Sequence, residues 1–166
     1  DQVKKIICSF PRTTDNEVFA AAYKKKQIEL EIVPQGTLAE RIRAAGAGIG
    51  GFYTQTTVGT DLAKGKQTRH FNNKEYVLED PLYADFSLIK AEEADRWGNL
   101  IYRLAGRNFG PIMASAAKTT IVQVRKVVPL GSIEPENIIT PGIFVSRVIQ
   151  VKSPLNEREL IQKNVC

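Results

Sequence analysis

An α/β fold is what this sequence predicts: an open, mostly parallel sheet with flanking helices and one inserted antiparallel hairpin. Three observations carry that expectation. The first third alternates strand-like runs with helix-capping patterns, the spacing of crossovers that join parallel strands. The middle holds two short β-type runs on either side of Asn72-Asn73, the composition of a tight hairpin. The last third contains two β-branched runs separated by a Pro/Gly-rich loop.

Taken in order, Val3 to Phe10 ("VKKIICSF") reads as a strand ended by Pro11. Thr14-Asp15-Asn16-Glu17 has the form of a capping box, in which the Thr side chain accepts from the first turn and the Glu reaches back. It predicts a helix to about Lys26 with Val18, Phe19, Ala22 and Tyr23 on one face. "QIELEIV" alternates apolar and acidic residues as a half-buried strand does. After the Pro34-Gln35-Gly36 turn, Thr37 and Glu40 form a second capping-box pattern, predicting a short helix through Ala45. "KQTRHF" and "KEYVLE" make the hairpin arms, and "DFSLIKA" is an apolar strand. "DRWGNLIYRL" reads as a tight turn at Gly98-Asn99 feeding a strand. Pro111 suits the first position of a helix, "PIMASAAK". "TTIVQVRKVV" and "GIFVSRVIQV" are expected as strands, with "PLGSIEPENIITPG" the loop between them. Residues 1–152 are expected to form one domain and 153–166 a polar tail with an amphipathic turn at Leu155, Leu160 and Ile161.

The bulk numbers fit a globular protein of 166 residues, 43% apolar and 25% charged. No apolar run approaches the ~20 residues of a membrane-spanning helix. Cys8 and Cys166 make no disulfide framework, and the chain is expected to be cytoplasmic. Asp1 stands inside a strand-like run, so further N-terminal sequence is expected before it. Lys and Arg number 23 against 18 Asp and Glu, a formal charge of +5 that suits an anionic partner. The basic residues are scattered. The densest cluster, Lys24-Lys25-Lys26, falls where cations complement a helix C-terminus, which favours a small anion over nucleic acid.

The stretch "AAGAGIGGFYT" satisfies G-x-G-x-x-G with Gly46, Gly48 and Gly51. A dinucleotide loop must run from strand to helix, so that free N–H groups of the helix point at the pyrophosphate. Here a helix precedes the glycines and a β-like run follows them. The acidic residue expected ~20 positions later is also missing. Gly46 reads more simply as the left-handed residue that stops the helix. Gly48, Gly50 and Gly51 then read as a tight bend past which a ligand or second chain runs, with a bulged turn and no ligand as the other reading.

Other chemistry is sparse. His70 stands alone on a hairpin strand and no Cys or His has ligand spacing, so no metal is expected. Cys8 lies in an apolar strand, unsuited to nucleophilic work. No glutamate stands out as a nucleophile: Glu29, Glu31, Glu40, Glu92 and Glu93 all read as solvated-face or capping residues. Arg107 and Asn108 precede a helix start and could clamp a carboxylate or phosphate, or form a structural ion pair. The "PQGT" turn sets the Gln35 amide and the N–H groups of Gly36 and Thr37 at a helix N-terminus, which suits a carboxylate.

The segments "VPQGTLAERIRAAGAGIGGFYT", "DRWGNL", "AGRNFGPIMA" and "ITPGIFVSRV" closely resemble the A (alpha) subunit of the family I CoA-transferases, over Val3 to Val151. "CSFPR", "DRWGNL" and "GPIMA" are most similar to members that act on 3-oxoadipate in the breakdown of aromatic compounds. Acetate–acetoacetate and succinyl-CoA:3-oxoacid members are the alternative, and a non-catalytic module binding anions or nucleic acid is the alternative of another class. The resemblance implies CoA transfer from succinyl-CoA to a 3-oxo acid through a glutamyl-CoA thioester. CoA thioester enters as substrate, with no permanent cofactor. The glutamate belongs to a partner B subunit, in a Glu-Asn-Gly setting. This chain's Glu136-Asn137 is followed by Ile138, so no catalytic residue is expected here and a heterodimer or A2B2 heterotetramer is implied. In that family the alpha chain also opens with a Gly-Gly-Phe segment beside its first strand. Gly50-Gly51-Phe52 follows the PQGT helix instead, in line with missing N-terminal sequence. By position, the resemblance gives the substrate carboxylate to Gln35, with Gly36 and Thr37, and the acyl site to Gly48, Gly50 and Gly51. Arg107 with Asn108, or Arg12, would meet the distal carboxylate of a dicarboxylic acid.

Overall fold

The computed structural model describes residues 2–11 and 17–151. The chain divides into two compact units, Asp1–Leu82 and Tyr83–Cys166.

In the first unit β1 (Lys5–Cys8), α1 (Glu17–Lys24) and β2 (Glu29–Ile32) form the expected crossover, with β1 and β2 parallel and Ile6 opposite Leu30. Thr14, the capping residue expected for α1, lies outside the described residues. Val33 is buried behind β2 and its N–H donates to the Cys8 carbonyl at 3.0 Å. Then α2 (Gln35–Gly46) begins, two residues before the expected capping box. Pro34, at φ −53° and ψ 141°, is the N-cap, and no side chain caps the helix. Proline's fixed φ places the helix start directly after it, so Thr37 falls in the first turn rather than at the cap. Glu40 pairs with Arg43 on the next turn at 2.6 Å instead of reaching back.

Beyond α2, β3 (Phe52–Thr54), β4 (Thr68–Phe71) and β5 (Lys74–Glu79) form an antiparallel sheet ordered β3-β5-β4. Asn72 and Asn73 both take positive φ, 49° and 61°, as a two-residue hairpin turn of the favoured twist requires. Arg41 ties the unit together. Its guanidinium binds Glu31 on β2 at 2.7 Å and the Asp80 carbonyl after β5 at 2.8 Å.

The second unit contains β6 (Ala84–Lys90), β7 (Glu93–Asp95), β8 (Leu100–Ile101), α3 (Gly110–Ser115), β9 (Ala117–Val124), β10 (Lys126–Val128) and β11 (Arg147–Gln150). One sheet is fully parallel, ordered β11-β9-β6, and the other is ordered β10-β7-β8. Thr120, Val122 and Val124 alternate inward along β9; the two valines pack with Ile89, Leu100 and Ala114, and the Thr120 hydroxyl donates to the Ala114 carbonyl. Parallel pairings predominate over the two units together, and the chain is α/β as expected.

Three boundaries differ from the sequence reading. The "PIMASAAK" helix stops at Ser115, because Ala117 onward is recruited as β9 beside β6, with Lys118 bridging to Asp85 at 2.9 Å. "TTIVQVRKVV" is not one strand. It breaks at Arg125, whose N–H donates to the Glu92 carbonyl, and its second half leaves to pair with β7. "GIFVSRVIQV" opens with a 3-10 turn, Gly142–Phe144, and becomes strand only at Arg147. The tail expected beyond residue 152 lies outside the described residues.

Candidate substrate-binding site

The two ends of α2 hold six of the residues assigned to substrate. At the N-terminal end the Leu38 N–H closes the first helical bond, onto Pro34 O at 2.8 Å. The N–H groups of Gln35, Gly36 and Thr37 therefore stay unpaired, as the geometry of a helix start demands. Ser9, just past β1, donates its hydroxyl to Gln35 Oε1. That bond occupies the amide's acceptor and leaves its NH2 to donate. A Cβ added at Gly36 would meet nothing within 4 Å among the described residues. Thr37 is 3% exposed and its hydroxyl has no partner. N–H groups at the positive end of a 12-residue helix, with an amide beside them, are suited by charge and geometry to a carboxylate or an oxyanion.

At the C-terminal end the helix closes on itself. Gly46 is the last helical residue and Ala47 the cap, at φ −93°. The left-handed residue expected at Gly46 is Gly48, at φ +67°. Gly48 N–H donates to Ala45 O at 3.3 Å and Ile49 N–H to Ala44 O at 2.9 Å, the paired bonds of a Schellman stop. The glycine needed for positive φ thus comes two residues later than the apolar periodicity suggests. Gly51 has a packing reason: a Cβ there would stand 3.2 Å from Leu78 Cδ1. Gly50 has neither positive φ nor a neighbour within 4 Å, so nothing in the described residues demands glycine there. A 12-residue helix is roughly 18 Å long at 1.5 Å per residue. The Gln35–Thr37 donors and the Gly48–Gly51 bend are therefore separate positions along one element and do not converge on one atom.

Arg107 and Asn108 belong to the second unit. Arg107 ends a 3-10 turn, Leu104–Arg107, and is exposed. Asn108 lines a cleft of about 260 Å³ with Phe109 and Met113. Arg12 lies outside the described residues. His70 is exposed on β4, and no metal-holding group of His, Cys, Asp or Glu occurs among the described residues.

Two carboxylates escaped the sequence reading. Glu79 is 2% exposed at the end of β5, opposite Phe52, and is clamped by Lys66 Nζ at 2.6 Å. Its signal was the period of two: Val77 and Glu79 share the buried face of β5. Asp95 is 3% exposed and accepts from the N–H groups of Trp97 and Asn99 and from Asn99 Nδ2. Asn99 Oδ1 accepts in turn from Gly142 N–H at 2.9 Å, where an added Cβ would stand 2.1 Å from Trp97 O. So "DRWGNL" and "ITPG" are bolted to each other by packing and hydrogen bonds. They carry resemblance but no evident chemistry.

Elsewhere in the first unit, Lys5 and then Arg41 hold the Glu31 carboxyl below its ordinary range, and Glu31 in turn raises the Lys5 ammonium. In the second, burial pushes the Tyr102 phenol up, partly offset by its 2.7 Å hydrogen bond with Thr140.

A family model matches the chain throughout its described residues. The chain belongs to the coenzyme A transferase family, whose model covers residues 1–151. It is 63% identical over 149 residues to the A (alpha) subunit of the 3-oxoadipate CoA-transferase of Pseudomonas putida, covering 90% of this chain and 64% of that protein. It is 48% identical to the A (alpha) subunit of a probable succinyl-CoA:3-ketoacid coenzyme A transferase of Bacillus subtilis, covering 89% and 61%. The chain thus spans a little under two thirds of the length of these relatives. The fold is also that of the glutaconate coenzyme A-transferase of Acidaminococcus fermentans, with a TM-score of 0.76 at 19% identity over 89% of this chain and 55% of that one.

Proposed function

We propose that this chain is the alpha-type domain of a CoA-transferase that moves CoA from succinyl-CoA to 3-oxoadipate, with a B subunit supplying the nucleophilic glutamate. The observation that carries the choice of acceptor is the 63% identity to the corresponding chain of a 3-oxoadipate enzyme, against 48% to that of a succinyl-CoA:3-ketoacid one. Transfer to acetoacetate or another short 3-oxo acid is the second reading, favoured by that 48% relative.

In the proposed reaction the partner's carboxylate attacks the succinyl thioester, forming a mixed anhydride and releasing CoA thiolate. The thiolate attacks the glutamyl carbonyl, giving glutamyl-CoA and free succinate. The carboxylate of the 3-oxo acid then attacks glutamyl-CoA, and the expelled thiolate takes the new acyl group from the second anhydride, restoring the glutamate. Splitting the exchange this way replaces one difficult step by several easier ones. Each anhydride step develops negative charge on a carbonyl oxygen, and preorganised N–H donors stabilise it there. The Gln35 amide and the N–H groups of Gly36 and Thr37 are the donors this chain offers. The family resemblance gives Gly48, Gly50 and Gly51 to the acyl arm, and the distal carboxylate to Arg107 with Asn108, or to Arg12. The assembly is a heterodimer or A2B2 heterotetramer, and a cytoplasmic setting fits a chain with no helix long and apolar enough to span a membrane among the described residues.

The test is CoA transfer from succinyl-CoA to 3-oxoadipate and to acetoacetate, with this chain alone and with a co-expressed B subunit. Transfer is expected only with the partner, and faster to 3-oxoadipate. Faster transfer to acetoacetate would favour the second reading, and no transfer with the partner would defeat both.

A further inference from the structure

In the second unit β6 and β9 run parallel and end side by side, with Lys90 opposite Gln123. Ligands of open parallel sheets sit outside the carboxyl ends of the strands, where the departing loops splay apart. Outside these two ends lies a cleft of about 340 Å³ lined by Lys90, Glu92, Arg103, Leu104, Gly106 and Arg125. It is cationic, with three bases against one carboxylate. Arg125 is ion-paired with Glu92, Nε to Oε2, at a long 3.9 Å that leaves no hydrogen bond between them. Among the described residues no ion pair or side-chain hydrogen bond engages Lys90 or Arg103.

A second observation falls on the same rim. Leu104 takes φ +51°, a region that L side chains avoid, and its side chain is 82% exposed. Backbone strain and an unburied leucine together bring no packing return, and such strain gathers where a ligand is held. Lys90, Ala105 and Gly106 also border a neighbouring cleft of about 260 Å³, which Leu88, Phe109 and Met113 line as well. Through these shared residues the two clefts adjoin as a groove, the bases lining the first and apolar side chains added in the second.

We propose that this groove binds a phosphate-bearing ligand, its diphosphate or phosphomonoester held by Lys90, Arg103 and Arg125 and its less polar arm laid toward Phe109 and Met113. Two guanidinium forks and an ammonium spread around such a cleft suit a group of two or more charges with several acceptor oxygens better than a lone carboxylate. CoA carries both phosphate types on a long arm. A free nucleotide carries the same chemistry. The first source rests on the function proposed above, and the second does not.

Calorimetric titration of the full chain with inorganic diphosphate, CoA, ATP and adipate tests this. Diphosphate is expected to bind, and Arg103→Ala and Arg125→Ala are each expected to weaken it about tenfold, the order of a lost charge-assisted hydrogen bond. Adipate is expected not to compete. Affinity unchanged within about twofold in both variants, or displacement by adipate as effective as by diphosphate, overturns the proposal. Arg103 is exposed on a turn, so its variant remains informative where Arg125→Ala fails to fold. Competition by CoA, with a raised KM for succinyl-CoA and not for the 3-oxo acid in the Arg103→Ala complex, supports the site with CoA as source. Binding of ATP without competition by CoA supports it with a nucleotide. Absence of transfer activity alongside intact diphosphate binding would sink the transferase reading and leave this site standing.

Discussion

The two ends of α2 carry the two most conspicuous motifs of the chain, yet their hydrogen bonding is opposite. At the glycine-rich end the closing donors reach carbonyls of the last turn, through Gly48 and Ile49. At the PQGT end three N–H groups, the Gln35 NH2 and the buried Thr37 hydroxyl are left over. An unpartnered buried hydroxyl such as that of Thr37 is uncommon, whereas unpaired N–H groups are what every helix start leaves. The lesson is that the quieter motif keeps hydrogen-bonding groups available, while the louder one is mainly a device for ending a helix. Glycine enrichment reports backbone conformation first and ligands second.

The largest effect should come from the open end. Gln35→Ala removes one directed donor from the proposed oxyanion receptor, and losses of that kind cost ~10²-fold or more in turnover. The variant's thermal melt should stay close to wild type, because Gln35 sits at the helix end and its side chain is bonded only to Ser9. A drop of less than about threefold in kcat, with the melt unchanged, would break the contrast between the two ends.

Much of this was legible in the sequence, and the failures have physical causes. The parallel crossover, the Asn72-Asn73 hairpin and the donor set at Gln35, Gly36 and Thr37 follow from local pattern and turn chemistry. Thr37 as a helix cap did not survive, because Pro34 dictates the start of α2 more strongly than a Thr/Glu spacing does. The unbroken strand expected through Arg125 failed for a non-local reason, since Glu92 and β7 draw the second half away. The acceptability of Gly142 alone depends on Trp97, far away in sequence, and no local reading contains that contact. Glu79 lies two residues beyond Val77, on the same buried face of β5, a placement its alternation with Leu78 encodes locally.

A middle-sized effect should separate the glycines from one another. Gly48→Ala puts an L side chain at φ +67°, costing roughly 1–2 kcal/mol. Gly50→Ala meets neither strain nor a neighbour within 4 Å and should stay within about 0.5 kcal/mol of wild type in urea unfolding. If Gly50→Ala nevertheless raises KM for the acyl substrate, something outside this chain passes the bend, and its closed end is less self-contained than its hydrogen bonds suggest. If Gly48→Ala is as stable as Gly50→Ala, the Schellman stop is not what the glycines are for.

The smallest effect concerns what holds α2 in place between its ends. Arg41 anchors the helix to Glu31, whose carboxyl is held low by Lys5 and Arg41. A carboxyl with a depressed folded-state pKa stabilises the fold above its unfolded value and loses that contribution as pH falls through the folded one. The window therefore opens near pH 4.5, the ordinary value for Glu, and extends downward. Glu31 is 33% exposed, so solvent screening limits the contribution to about 1 kcal/mol or less. Urea midpoints of wild type and Glu31→Gln should differ at pH 7 and converge toward pH 3. A gap that persists in acid would mean the ion pair is not its source, leaving the seating of α2 to the Arg41 bond with the Asp80 carbonyl and the packing of Thr37, Ala44 and Ala45.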